Sequence, residues 1–198
     1  MWKDVIAKRP ENERGYLGLG SNYFRQNKIE DAETAFRKAI ELDPSYADAH
    51  YNLGNCLFRK RLYPDAAEAY RESLRVGRDT AATYYNLANT LKNMGQREDA
   101  LKHYRRTLRL NPRHAKAMVN MGNTLREMGK LDEALEQYHR AVKIAPNHFM
   151  AHYNMAIVLG IQGELEPALK AFDKALKIKP NNDNARKGRE RILQRIGS

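Results

Sequence analysis

Pairs of asparagine recur within segments whose other residues are typical of helix interiors. The two members of a pair are three positions apart, so both amides project from the same face of a helix. Asparagine is a poor interior helix residue because its amide competes for nearby backbone groups. An amide is both donor and acceptor, so it can pair with the backbone of a polypeptide whatever its sequence. The first candidates for binding chemistry are therefore Asn52 and Asn55, Asn86 and Asn89, Asn120 and Asn123, and Asn154.

Residues able to support catalysis or bind a metal are isolated from one another. His148 and His152 are four positions apart, but no third ligand accompanies them. The segment EQYH at 136–139 has the spacing of a diiron ligand pair without a second copy. Cys56 is the single cysteine, which excludes an internal disulfide, and the sequence pattern places no base beside it. No glycine pattern matches a phosphate loop, so the sequence predicts no enzyme, no metal and no cofactor.

Composition and charge favour a folded protein with acidic partners. Hydrophobic residues make up 42% and charged residues 30% of the 198 positions, which is typical of a folded chain. No apolar run approaches the roughly 18 residues of a membrane helix, so direct membrane insertion is not expected. A net charge of +11 favours acidic partners or nucleic acid in general. The single cysteine fits a reducing compartment such as the cytoplasm.

A period of 34 residues organises the chain. Five columns carry the period, and each keeps one residue type or a close relative. These columns are Leu19, Leu53, Leu87, Met121 and Met155; Gly20, Gly54, Ala88, Gly122 and Ala156; Ala32, Ala66, Ala100, Ala134 and Ala168; Phe36, Tyr70, Tyr104, Tyr138 and Phe172; and Pro10, Pro44, Pro112, Pro146 and Pro180. The predicted units cover residues 13–46, 47–80, 81–114, 115–148 and 149–182.

Each unit is predicted to contain two helices joined by a short turn. In the third unit, Tyr84, Leu87, Ala88 and Leu91 form an apolar stripe at helical spacing, and Gly95 follows as a stop signal. The small-residue columns allow the two helices of a unit to approach closely. No unit can bury its apolar face alone, so the units must stack.

The pattern resembles the tetratricopeptide repeat over Glu13 to Asn182. The resemblance rests on the period, the Leu-Gly step, the Ala and aromatic columns and the closing proline. It implies an all-α, right-handed superhelical solenoid whose first helices line a concave groove. Two departures affect local geometry. The usual first-helix aromatic is replaced by His50, Met118 and His152, and the second unit closes with Arg78 instead of proline.

The two ends of the chain are predicted to play different parts. Residues 1–12 align with the end of a second helix, with Trp2 in the aromatic column, and are interpreted as the remnant of a preceding repeat. The chain is thus expected to be part of a larger protein. Residues 183–198 are predicted to form a capping helix in which Ile192, Leu193 and Ile196 cover the last unit.

The resemblance places the amides in two ladders along the groove, similar to the asparagine ladder of O-linked N-acetylglucosamine transferase. They are then expected to hold an extended, somewhat acidic polypeptide segment. The alternative is that the amides bond within or between units without any ligand. Phe24 and Phe58 add apolar surfaces to the groove. The other candidate groove residues are Tyr51, Tyr85, Tyr153, Arg59, Lys92, Lys116 and Arg126.

The predicted function is a protein–protein interaction module, and other functions stay open. One is an oligomerising or assembly scaffold that self-associates through the repeat ends. Another is a regulatory or substrate-binding domain of a membrane glycosyltransferase. A third is nucleic-acid binding through basic second helices, but carboxylates interrupt these cations and stacking aromatics are missing among them, so no specific nucleic acid is expected. The family's carboxylate clamp fits at Asn55, Asn86 and Lys116 but lacks two required cations.

Overall fold

The computed structural model describes residues 9–77 and 79–197, and within these ranges it contains eleven helices and no strand. The predicted all-α class is confirmed. The helices are α1 (Glu13–Arg25), α2 (Ile29–Leu42), α3 (Ala47–Arg59), α4 (Tyr63–Val76), α5 (Ala81–Asn93), α6 (Arg97–Leu110), α7 (Ala115–Glu127), α8 (Leu131–Ile144), α9 (Phe149–Gln162), α10 (Leu165–Ile178) and α11 (Asp183–Ile196). None of these helices is both long and apolar enough to cross a bilayer.

The helices fall into two compact bodies, divided between Leu110 and Asn111. The first body contains the helix pairs α1–α2, α3–α4 and α5–α6, and the second contains α7–α8, α9–α10 and then α11. Within each body, the helices of a pair pack against each other, and the second helix of one pair contacts the first helix of the next. The expected remnant of a preceding repeat falls largely on residues 1–8, which lie outside the described residues.

Close packing inside each pair depends on the small-residue columns. A Cβ atom added to Gly54 would lie 2.6 Å from a ring atom of Tyr70, and the same distance separates Gly122 from Tyr138. Both tyrosines are almost fully buried. Since a real Cβ contact is never that short, a larger residue would push the two helices apart. The aromatic column therefore packs on its own unit's first helix.

The turn inside each unit requires a left-handed backbone. Gly95, Gly129 and Gly163 adopt φ values of 78°, 76° and 83° at the end of the first helix in three units. The same repeat position holds Asn27 and Arg61, both at φ 62°. Glycine adopts this conformation without steric cost, and asparagine tolerates it. Arg61 is therefore a locally strained position.

The two departures from the repeat pattern have local solutions. His50 Nε2 lies 2.9 Å from the Pro44 carbonyl oxygen, and His152 Nε2 lies 2.8 Å from that of Pro146, so each histidine hydrogen-bonds the loop before its helix. In the second unit, α4 ends at Val76 and Gly77 follows as its C-cap. Thr80 Oγ1 then caps α5 by accepting from the Thr83 amide at 3.1 Å. The missing proline is thus compensated by a glycine and a side-chain cap.

The last helix covers α10 through fewer residues than expected. Ile192 is 5% exposed, and a Cβ atom at Gly188 would lie 2.5 Å from the Phe172 ring. Leu193 and Ile196 were also expected to cover the last unit, but both are 41% exposed. Polar contacts complete the attachment, because Arg195 donates to the Gly160 carbonyl at 2.7 Å. The expectation for Leu193 and Ile196 is wrong, since the buried face of α11 runs through Ala185 and Ile192.

Candidate functional site

The amide of Asn55 is the centre of a hydrogen-bond network that joins three helices. Its Oδ1 accepts a bond from the Tyr70 hydroxyl at 2.8 Å and another from Asn86 Nδ2 at 2.9 Å. Asn86 Nδ2 also donates to the Tyr51 hydroxyl at 3.1 Å. Asn55 lies on α3, Tyr70 on α4 and Asn86 on α5. The network therefore ties the two helices of one unit to the first helix of the next.

The same arrangement recurs in the second body. Asn123 Oδ1 accepts from the Tyr138 hydroxyl at 2.8 Å and from Asn154 Nδ2 at 2.7 Å. Asn154 is 4% exposed, so its bond is well shielded from water. In the first body, Asn89 Oδ1 accepts from the Tyr104 hydroxyl at 2.6 Å. The second asparagine of each pair is thus the acceptor for the aromatic column of its own unit.

The bond between the tyrosine and the asparagine of a unit can also be inferred from the sequence, but only when two repeat positions are compared. The three units with tyrosine in the aromatic column have asparagine as its acceptor. The two units with phenylalanine there have another residue in the acceptor column. These pairs are Tyr70 with Asn55, Tyr104 with Asn89, Tyr138 with Asn123, Phe36 with Ser21 and Phe172 with Ile157. A buried hydroxyl requires a partner, so the two columns change together.

The network fixes the orientation of the amides and leaves specific atoms unused. Asn55 uses its oxygen twice, and its Nδ2 makes no hydrogen bond within the described residues. Asn86 uses its nitrogen, and its Oδ1 makes none within those residues. Neither atom is a buried polar atom without a partner, so both reach solvent. The pair presents one donor and one acceptor on the surface of the first body.

These amides line a cleft of about 330 Å³ in the first body. Its walls are formed by α1, α3, α4 and α5. The Arg59 guanidinium lies over the Phe24 ring, 4.9 Å from its centroid, and is largely exposed. The lining residues are Phe24, Asn55, Phe58, Arg59, Tyr70, Asn86 and Asn89. The cleft therefore combines apolar walls, amides and one cation that makes no ion pair among the described residues.

The remaining candidates of the first body lie around the cleft without lining it. The Tyr51 ring lies 6.0 Å from the Tyr70 ring, and the Tyr85 ring lies 6.3 Å from the Tyr104 ring. Lys92 is half-buried. Asn52 is also half-buried, but its side chain makes no hydrogen bond within the described residues. Asn52 and Asn86 occupy the same repeat position but differ in bonding. Asn86 donates to Asn55 of the preceding unit, whereas the unit before Asn52 has Ser21 at the position of Asn55.

The candidates of the second body are less concentrated. Tyr153 stacks on Phe149 at 5.7 Å and meets the Phe172 ring at 6.0 Å. Lys116 is exposed, while Asn120 and Arg126 are half-buried. The Arg126 Nε is buried without a hydrogen-bond partner among the described residues. The structure thus brings Asn123 and Asn154 into contact, and Tyr153 into an aromatic cluster.

Burial controls the ionisation of the groups that could react. It raises the pKa of the Cys56 thiol to about 12, so the thiol is neutral at physiological pH. Burial likewise raises the pKa of the Tyr70 and Tyr138 hydroxyls, which act as neutral donors. Within the residues that the structure describes, no group of three His, Cys, Asp or Glu side chains is placed to hold a metal ion.

Comparisons with known proteins agree with this architecture. Two family models, both described as tetratricopeptide repeat, match the chain. One matches residues 17–82, and the other matches residues 79–147 and 113–181. The structure of YrrB, a TPR protein with an unusual peptide-binding site, has a TM-score of 0.81 at 30% identity, covering 96% of this chain and 97% of YrrB. A MamA structure has a TM-score of 0.78 at 24% identity, covering 85% of this chain and 92% of that one, and shows likeness of fold alone.

A curated relative adds a short match in sequence. The type IV pilus assembly protein PilF of Pseudomonas aeruginosa is 45% identical over 42 residues, which are 21% of this chain and 17% of PilF. The chain thus spans well under two thirds of that relative in sequence. A solved structure of PilF covers more, with a TM-score of 0.83 at 25% identity over 96% of this chain and 86% of that one.

Proposed function

Because the chain belongs to the tetratricopeptide repeat family, whose members generally mediate protein–protein interactions, we propose that it binds an extended polypeptide segment along its first helices. The observation that carries the proposal is the oriented amide pair of Asn55 and Asn86. Its two unused atoms, a donor on Asn55 and an acceptor on Asn86, lie beside an open cleft. A peptide backbone offers the complementary carbonyl and amide.

Structural and binding roles are compatible in these amides. Asn86 Nδ2 is held by Asn55 and Tyr51, and this contact keeps its oxygen from turning inward. A side chain that is already fixed loses little conformational freedom when a ligand binds. Each backbone bond contributes only about 0.5–1.5 kcal/mol net, so several positions must act together.

The cleft can also select among the side chains of the bound peptide. Phe24 and Phe58 offer apolar walls for one side chain of the bound segment. Arg59 is available to a carboxylate, because it makes no ion pair within the described residues. An acidic residue next to an apolar or aromatic one is the segment that fits these walls best. The solved likeness to YrrB, described as having a peptide-binding site, supports a polypeptide as the class of ligand.

Selection from a random peptide library displayed on phage tests the proposal, followed by titration calorimetry of the selected peptides. We expect enriched peptides that combine apolar and acidic residues, and affinity that falls in Asn55→Ala and Arg59→Ala. Arg109→Ala, an exposed change on the second helix α6, is the matched control and should bind normally. The proposal fails if no peptide is enriched, or if the cleft variants bind as well as the control.

A further inference from the structure

Two grooves occupy equivalent positions in different units, one in each body. The first has a volume of about 550 Å³ and is lined by residues of α2, α3 and α4. The second has a volume of about 690 Å³ and is lined mainly by α9 and α10, with His139 from α8. Their lining residues correspond through three periods of the repeat, as with His50 and His152. The two grooves can therefore be compared residue by residue.

The floors of the grooves are apolar in both bodies. Leu53, Leu57 and Ala69 form the first floor. Met155, Leu159 and Ala171 stand at the same repeat positions in the second. These residues belong to the packing columns, so their character follows from the fold.

The rims of the grooves carry opposite charge. On α4, Asp65, Glu68 and Glu72 form an acidic ridge along the first groove. On α10, Lys170, Lys174 and Lys177 form a basic ridge along the second. Glu68 corresponds to Lys170 and Glu72 to Lys174, so the sign reverses at these two positions, whereas Asp65 corresponds to Pro167 and Lys177 to Arg75. We name these surfaces the acidic ridge and the basic ridge.

Within the described residues, most charges of the two ridges have no partner, and the exception is Glu72, which pairs with Arg75 at 2.5 Å. Asp65 and Glu68 make no ion pair within the described residues, and the three lysines of the basic ridge make none there either. Other charged groups of the grooves are already paired. Arg37 pairs with Glu33 at 2.8 Å, and Asp173 pairs with Arg189 at 2.6 Å. Glu164 is the further carboxylate beside the basic ridge.

The third unit shows how the equivalent space can be filled from within. Tyr84 stands where the second and fifth units have His50 and His152, and its ring stacks on His103 at 5.7 Å. The Arg106 guanidinium lies 5.6 Å from the Tyr84 centroid, and the Tyr84 hydroxyl donates to Asp79 at 2.9 Å. The histidines instead turn to a proline carbonyl, which leaves the two grooves open.

We propose that the acidic ridge of one chain docks on the basic ridge of a second copy of the same chain. Charge complementarity points to this occupant, because one ridge is acidic and the other is basic. Ridges of opposite sign on two helices allow α4 of one copy to pack beside α10 of another, over the apolar floors. The contact joins two different surfaces, so it is heterologous. The net charge of +11 opposes association, but contacts within a Debye length of about 8 Å outweigh distant charges.

Sedimentation velocity over a concentration series at low salt tests the docking. The acid-reversed variant carries Asp65→Lys and Glu68→Lys, and the base-reversed variant carries Lys170→Glu and Lys174→Glu. A control for the acid-reversed variant, Glu30→Lys with Asp31→Lys, makes the same charge change at exposed positions of α2. Thermal melts establish that each variant is folded.

The parent should self-associate, and this association should weaken as salt is added. Each reversed variant alone should associate at least about tenfold more weakly, while the control behaves like the parent. An equimolar mixture of the two reversed variants should regain the association, because each then offers the ridge that the other needs. The proposal is overturned if the parent stays monomeric throughout, if the reversed variants associate like the parent, or if the mixture gains nothing.

Discussion

Asn55 accepts two hydrogen bonds through one oxygen and keeps its nitrogen available, which explains why an amide is used at this helix position. A serine or an apolar residue suffices where the aromatic column holds phenylalanine, as at Ser21 and Ile157. The amide pairs and their common face were predictable from spacing alone. Their bonds to the aromatic column were not predictable from any single column, because each joins the two helices of a unit, and the bond from Asn86 to Asn55 forms only after two units stack.

Removing the Tyr70 hydroxyl should cost stability without disturbing the packing. Tyr70→Phe keeps the ring against Gly54 but removes one bond to Asn55, so the free energy of unfolding should fall by about 1 kcal/mol. Urea denaturation followed by circular dichroism measures the change. Tyr63→Phe is the control, since the Tyr63 hydroxyl makes no hydrogen bond within the described residues. Equal stability of Tyr70→Phe and the parent would show that the bond is not structural.

Asn86 and Asn52 share a column and provide a matched comparison. From sequence alone, alanine should leave stability unchanged or raise it, because alanine is the better helix former by roughly 0.5–0.7 kcal/mol. Asn52→Ala should follow that expectation. Asn86→Ala also removes bonds to Asn55 and Tyr51, so its unfolding free energy should fall by about 1 kcal/mol net. Thermal melts decide the point, and identical melting temperatures for the two variants would contradict the network.

At the scale of the helices, the 34-residue period predicts where most elements begin and end. The glycine of the internal turn marks the end of the first helix in three units, and Asn27 and Arg61 take the same backbone conformation in the other two. The second unit, without its proline, still ends α4 at Val76 because Gly77 follows. The exposure of Leu193 and Ile196 was not predictable, since the rotation of α11 depends on how Gly188 fits against Phe172.

The attachment of α11 can be tested through two neighbouring residues. Ile192 is buried beside Gly160, so Ile192→Ala should lower the unfolding free energy by about 2–5 kcal/mol. Leu193 is 41% exposed, and Leu193→Ala should cost well under half as much. Chemical denaturation of both variants gives the two values. A larger loss from Leu193→Ala would mean that the buried face of α11 has been assigned wrongly.

At the scale of the whole molecule, the net charge of +11 does not by itself indicate specific binding to nucleic acid. Several cations of the second helices are held by carboxylates of the chain. Examples are Arg75 with Glu72 and Lys102 with Asp99, at 2.5 and 2.8 Å. Such paired and solvated cations attract nucleic acid through charge and do not recognise its base sequence.

Binding to nucleic acid should therefore be weak and controlled by salt. Fluorescence anisotropy with a labelled single-stranded RNA should show binding at low salt that is lost by about 200 mM, because the interaction depends on counterion release. Sequence changes in the RNA should have little effect. A tight complex that persists at physiological salt would contradict the assignment of polypeptide as the ligand.

The proposed function requires that the oriented amides of the first body receive a polypeptide backbone. Titration of a library-selected peptide into ¹⁵N-labelled protein, followed by two-dimensional NMR, observes the amides directly. Binding at these amides should shift the side-chain NH₂ signals of Asn55 and Asn86, together with backbone signals around Arg59 on α3. Shifts confined to the second helices α2 and α4, with both side-chain amides unchanged, would contradict it.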